Sequence, residues 1–140
     1  MATEVDTDEG DTAPDAYEAL VERARRWNTV GSAAGVLQWD QQVMMPPKGT
    51  PARSKQLSTL SSLRHDLLTD DDTAALLDTL ESASLTDEQA AAVREIRREH
   101  ERAAAVPVEL VEEISEASTE ALAAWEEAKA ADDFEAFAPY

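Results

Sequence analysis

Two histidines and a large set of carboxylates are the side chains of this sequence whose types could support acid, base or metal chemistry; there is no cysteine. His100-Glu101-Arg102-Ala103-Ala104 reads H-E-x-x-A on a predicted helix. The zinc signature H-E-x-x-H places imidazoles at i and i+4 so that both ligands share one helical face, with the glutamate as general base. Ala104 has no donor atom, so His100 and Glu101 are read as solvated helix residues. His65, in "LRHDLLT", falls near the end of another predicted helix, where a cation can interact with the last carbonyls. The acidic groups Asp70/Asp71/Asp72, Glu112/Glu113, Glu126/Glu127 and Asp132/Asp133 lack the spacing, glycine and terminal glutamate of a calcium loop and are read as helix caps and solvated faces. Neither histidine lies in a recognisable nucleophile motif, and the four glycines form no phosphate cradle.

One stretch resists this bland reading. In "VLQWDQQVMMPPKG", Trp39, Asp40 and Gln41 come just ahead of a Met-Met-Pro-Pro stop, so they face either solvent or a cleft. Trp39, Val43 and Met44 could equally pack against neighbouring helices.

The elements that must position these residues are helices. Tyr17, Leu20, Val21, Ala24, Trp27, Ala34 and Leu37 recur near a 3.6-residue period and predict one long amphipathic helix from Pro14 to about Met45. Gly31, Ser32 and Gly35 mark either a close crossing by another helix or a bend. Pro46 and Pro47 stop the helix, and Gly49 permits a left-handed turn. Thr50 is read as the N-cap of a second helix with Pro51 in its first turn and Leu57, Leu60, Leu63, Leu67 and Leu68 as its buried stripe. Asp70 to Asp72 cap a third helix built on Leu76, Leu77 and Leu80. Thr86 and Gln89 form a capping box for a fourth, with Val93, Ile96 and Ala103 inward. Pro107 opens a fifth helix running to about Ala131, and Asp132 or Asp133 starts a new turn in "DDFEAFAPY". No strand-like alternation stands out, and the fold class is all-α with about five amphipathic helices. Residues 1–13, acidic and nearly free of apolar side chains, predict a disordered tail; 14–140 form one helical region.

Thirty acidic against twelve basic residues give a net charge of −18, a field that repels phosphate backbones and anionic headgroups, so nucleic acid and membrane surfaces are excluded as partners. The abundance of Asp, Glu, Thr and Ala and the preference for Arg over Lys look like proteins of salt-accumulating organisms. The acidic amino terminus and the absence of a long apolar run read as cytoplasmic.

The residues then resemble a known family. "LQWDQQVMMPPKGTPARSKQLSTLSSLRHDLLT" resembles the W-D-x-x-x-x-M-P segment and following helix near the amino terminus of the carboxypeptidase Taq family, H-E-x-x-H metallocarboxypeptidases. Arg94, Arg97, Pro107 and Leu110, then Trp125, Asp133, Phe134, Phe137 and Pro139, follow the family's later pattern in order. The resemblance implies a larger all-helical peptidase, usually a homodimer, that removes single residues from peptide carboxyl ends with the help of zinc or cobalt. It also implies that the catalytic helix and every metal ligand lie downstream of Tyr140. No catalytic residue, metal ligand or cofactor is therefore assigned within this chain, and it is expected to be inactive alone. Trp39, Asp40 and Gln41 carry over as the family-typical amino-terminal motif, with a role at the groove wall. The competing expectation is a stand-alone acidic helical module that pairs with a full-length peptidase or another helical partner.

Overall fold

The computed structural model describes residues 12–140, which form six helices and no strand. These are α1 (Thr12–Val43), α2 (Thr50–Thr69), α3 (Asp71–Glu81), α4 (Asp87–Ala104), α5 (Val108–Ala131) and the single turn α6 (Phe134–Phe137), with a 3₁₀ turn at Pro47–Gly49 between α1 and α2. The acidic segment expected to be a tail lies outside the described residues except for its last two, which already belong to α1.

Local chemistry accounts for the boundaries. The α1 ladder ends where Pro46 takes an extended conformation (φ −64°, ψ 146°). Gly49 does not adopt the left-handed turn expected of it: φ is −79°. A Cβ there would lie 2.9 Å from Met45 Cγ, so a larger residue would require the Met45 side chain to shift. Thr50 is also not the cap; its hydroxyl donates back to the Pro47 carbonyl at 3.0 Å, and Gly49 takes the cap position. Asp70 caps α3 by accepting from the Thr73 amide at 2.8 Å. The Thr86–Gln89 capping box is present in both directions, at 3.0 and 3.3 Å. Asp133 caps α6, while Asp132, the one non-glycine residue with positive φ (54°) among those described, terminates α5.

α2 is the central helix. α1 and α5 lie along it on separate flanks, α4 and α3 pack at its far end, and α6 folds back on α5. The best-packed core lies away from the α1–α2 turn: Ala16 and Leu20 of α1 meet Leu77 and Leu80 of α3 and Val93 of α4, with Tyr17, Leu76, Leu85 and Ile96 around them. Trp27 is 1% exposed and Leu68 likewise. Leu63 does not join the buried stripe predicted for α2; it is 44% exposed, because the face it occupies has no neighbouring helix. Between Gly31 and α2 the approach is close, a Cβ on Gly31 meeting the Arg64 side chain at 3.4 Å, whereas Gly35 has nothing within 4 Å. α1 continues unbroken through both glycines.

Two arginines missed in the sequence bind α1 to its neighbours. Arg23 donates from Nε to Thr73 Oγ1 at 2.9 Å and pairs with Asp70, tying the first half of α1 to the start of α3. Thr73 is fully buried, and its hydroxyl passes the chain on to the Leu67 carbonyl of α2 at 3.3 Å. Arg53 does the same for the second half and belongs to the candidate site.

Candidate functional site

Because α1 and α5 both lie against α2 without closing on each other, a groove of about 520 Å³ opens between them. One wall is amide: Gln38, Gln41 and Gln42 project from the last turns of α1. The other wall is α5, with Val111, Ile114 and Leu122 alternating with Ser115, Ser118 and Thr119. Leu57 and Ser61 of α2 make the floor, where the Ser61 and Ser115 hydroxyls meet at 3.2 Å. No charged side chain lines this groove, although charged residues make up 30% of the sequence.

The structure sends the three motif residues in three directions. Gln41 is buried (9% exposed) and lines the groove, while Trp39 is 60% exposed and lies outside it. Asp40 is turned towards α2, its carboxylate 2.6 Å from Arg53 Nη2. Arg53 is buried, and it also donates to the Leu37 carbonyl of α1 and, from Nε, to Gln56 Oε1 at 3.1 Å. A guanidinium at this depth needs its donors satisfied, and one carboxylate, one carbonyl and one amide oxygen do so. Asp40 and Arg53 therefore hold the end of α1 on α2 and set the angle of the groove wall. The sequence signal that could have found Arg53 was an arginine two residues after Pro51, within reach of an otherwise unpaired aspartate.

His65 and His100 prove to be a matched pair. His65 of α2 shares its Nε2–H between the Ala103 and Val106 carbonyls at the end of α4, at 3.1 and 2.8 Å. His100 of α4 donates from Nδ1 to the Leu68 carbonyl at the end of α2, at 2.8 Å. Carbonyl oxygens only accept, so these contacts fix which ring nitrogen carries the proton in each case. His100 thus satisfies the Leu68 carbonyl at the end of α2, and His65 the Val106 carbonyl just past α4, while the Ala103 carbonyl also accepts from the Val106 amide. His100 is therefore only partly exposed and is not the solvated residue expected, and His65 serves the end of α4 instead of its own helix. One nitrogen of each ring is taken by carbonyls, His65 Nδ1 is buried without a hydrogen-bond partner, and no group of three His, Cys, Asp or Glu side chains converges among the described residues. This donor set does not fit a zinc or cobalt ion. Amides, hydroxyls and apolar surface in the groove can hold polypeptide by hydrogen bonding and burial; they offer neither a poised nucleophile nor a general base.

Comparison with known proteins decides the family. The profile of the Carboxypeptidase Taq (M32) metallopeptidase family matches residues 19–140. The chain belongs to this family. Thermostable carboxypeptidase 1 of Thermus thermophilus is 36% identical over 129 residues, which is 89% of this chain and 25% of that protein. Thermostable carboxypeptidase 1 of Pyrococcus furiosus is 37% identical over 122 residues, covering 86% of this chain and 24% of that one. Among solved structures, the crystal structure of BsuCP superposes with a TM-score of 0.86 and 26% identity over 90% of this chain and 26% of its own. The M32 chain described here spans about a quarter of the length of these relatives. Its all-helical fold is therefore that of the corresponding quarter of a carboxypeptidase.

Proposed function

We propose that this M32 chain supplies the groove-forming helical quarter of a carboxypeptidase that hydrolyses the last peptide bond of peptides, and that it is inactive without the remaining three quarters. The observation that carries the reading is the match over residues 19–140 to a metallopeptidase family, in a chain whose own histidines are committed to helix ends. Hydrolysis would fall to a zinc or cobalt ion held outside these residues. Peptide is the substrate on this reading, with Trp39, Asp40 and Gln41 near a groove wall. Nucleic acid and membranes are not partners, because a net charge of −18 repels both and no described helix is long and apolar enough to cross a bilayer. We place it in the cytoplasm of a salt-accumulating cell on the strength of the same acidic surface, with a homodimer as the assembled form.

The test is the mass of the natural polypeptide carrying this sequence, together with its activity. Peptides continuing past Tyr140 into H-E-x-x-H, in a protein that releases carboxyl-terminal amino acids, would support the proposal. A natural product of 140 residues would overturn it and leave the second reading, an interaction module. The uncharged groove favours that alternative, since it can seat a partner helix with no chemistry at all.

A further inference from the structure

The second half of α1 is poor in charge and rich in exposed apolar side chains. Residues 28–47 contain one charged side chain, Asp40, and Arg53 neutralises it. Charged residues at the overall 30% frequency would put about six in a span of that length. The depletion extends to an exposed face. Val36, Trp39 and Val43 recur at i, i+3 and i+7 and stand 65%, 60% and 57% exposed, with Met44 beside them at 68%. A helix that is apolar on more than one face belongs inside a larger core, and a continuous exposed stripe of large side chains marks an interaction surface. Gly35, at the top of this segment, has no atom within 4 Å of where a Cβ would be, so it leaves room for a close approach from outside.

We infer that the Val36–Trp39–Val43 stripe is a docking face for the remaining three quarters of an M32 peptidase chain, which turns the end of α1 into an interior helix. This rests on the proposed function. The relatives supply the occupant: each is about four times as long as the part this chain matches, so most of their mass has no counterpart here. A second copy of the chain is the competing occupant, and the mass of the free chain separates the two.

The absence of cysteine makes a footprinting test clean. Single variants V36C, V43C and, on the charged half of α1, E18C would be prepared in the free 140-residue chain. The same variants would be prepared in a chimera where this chain replaces the matching segment of the Thermus thermophilus carboxypeptidase. Alkylation by iodoacetamide, a neutral reagent, should be at least tenfold slower at positions 36 and 43 in the chimera than in the free chain, with position 18 changed less than twofold. Equal rates at 36 and 43 in a folded chimera would overturn the inference. Protection already present in the free chain, with a dimer mass by light scattering, would also overturn it by making a second copy the occupant. A chimera that aggregates while the free chain stays monomeric would count against the fit as well. Protection without release of carboxyl-terminal amino acids would sustain the docking face and sink the activity; activity with exposed cysteines would do the reverse.

Discussion

Trp27 and Trp39 lie on the same helix, and one is 1% exposed while the other is 60% exposed. Twelve residues at 100° each separate them by roughly 120° around the helix axis, so they cannot serve the same face. The difference goes beyond these two side chains. Residues 12–27 carry six charged side chains and bury one face, through Ala16, Leu20 and Trp27, against the rest of the domain. Residues 28–43 carry one charge and expose the apolar side chains of Val36, Trp39 and Val43. The first half has the construction of a surface helix facing water. The second has the construction of an interior helix with one neighbour present. One continuous element thus passes from the outside of a protein to what its composition marks as the inside.

The contrast can be broken most sharply at the tryptophans themselves. Trp27→Ala removes a fully buried aromatic and should cost about 3–5 kcal/mol of the free chain's stability, whereas Trp39→Ala should stay within about 0.5 kcal/mol; paired urea melts give both numbers. Comparable losses at the two positions would show that the second half of α1 already has a packed partner within this chain.

Next in size is the clamp that holds the second half in place. Arg53→Ala leaves the Asp40 carboxylate without its ion-pair partner and takes the second donor from the Leu37 carbonyl, and about 2–4 kcal/mol should be lost. Asp40→Asn, which keeps an acceptor for the guanidinium, should cost about 1 kcal/mol. Hydrogen exchange would refine this: amides of Leu37 to Met44 should lose protection in Arg53→Ala while those of Leu20 to Trp27 keep theirs. Uniform loss would mean the two halves unfold as one unit.

The reciprocal histidines should contribute less. His65→Ala orphans the Val106 carbonyl just past α4, and His100→Ala the Leu68 carbonyl at the end of α2, each at about 1–2 kcal/mol. The double variant should lose less than the sum if the two contacts support one α2–α4 contact. Smallest per residue, though spread over the whole surface, is salt: melting temperature should rise between dilute buffer and molar KCl as self-repulsion is screened. A salt-independent melt would remove the argument for an acidic surface adapted to salt.

How legible these features were depends on the range of the interactions involved. Capping residues act within one turn, so the Thr86–Gln89 box could be read directly, while the run Asp70 to Asp72 and the pair Asp132/Asp133 located the caps that the structure assigns to Asp70 and Asp133. Thr50 could not be read this way, since its hydroxyl donates to the Pro47 carbonyl instead of accepting from an amide of the helix. Leu63 fits a helical period as well as Leu60 does, and only the absence of a neighbour on its side leaves it exposed. His100 beside Glu101 suggested at most a failed metal signature. Its partner, the Leu68 carbonyl, is 32 residues away in sequence, where periodicity carries no information. The motif Trp39-Asp40-Gln41 was legible as a unit, yet consecutive helical residues diverge by 100°, so its members face open surface, α2 and groove respectively.

The sequence by itself determined an all-helical chain, the places where its helices start and stop, a strongly negative surface and a family resemblance carried by ordered motifs. Those properties rest on local backbone preference, composition and residue order, which need no partner. Tertiary structure alone decided that Arg53 would hold Asp40, that His65 and His100 would each donate to a carbonyl at or just past the end of the other's helix, and that α1 and α5 would leave an uncharged groove between them. Each of these depends on which faces of distant helices meet, and that is set by packing around α2.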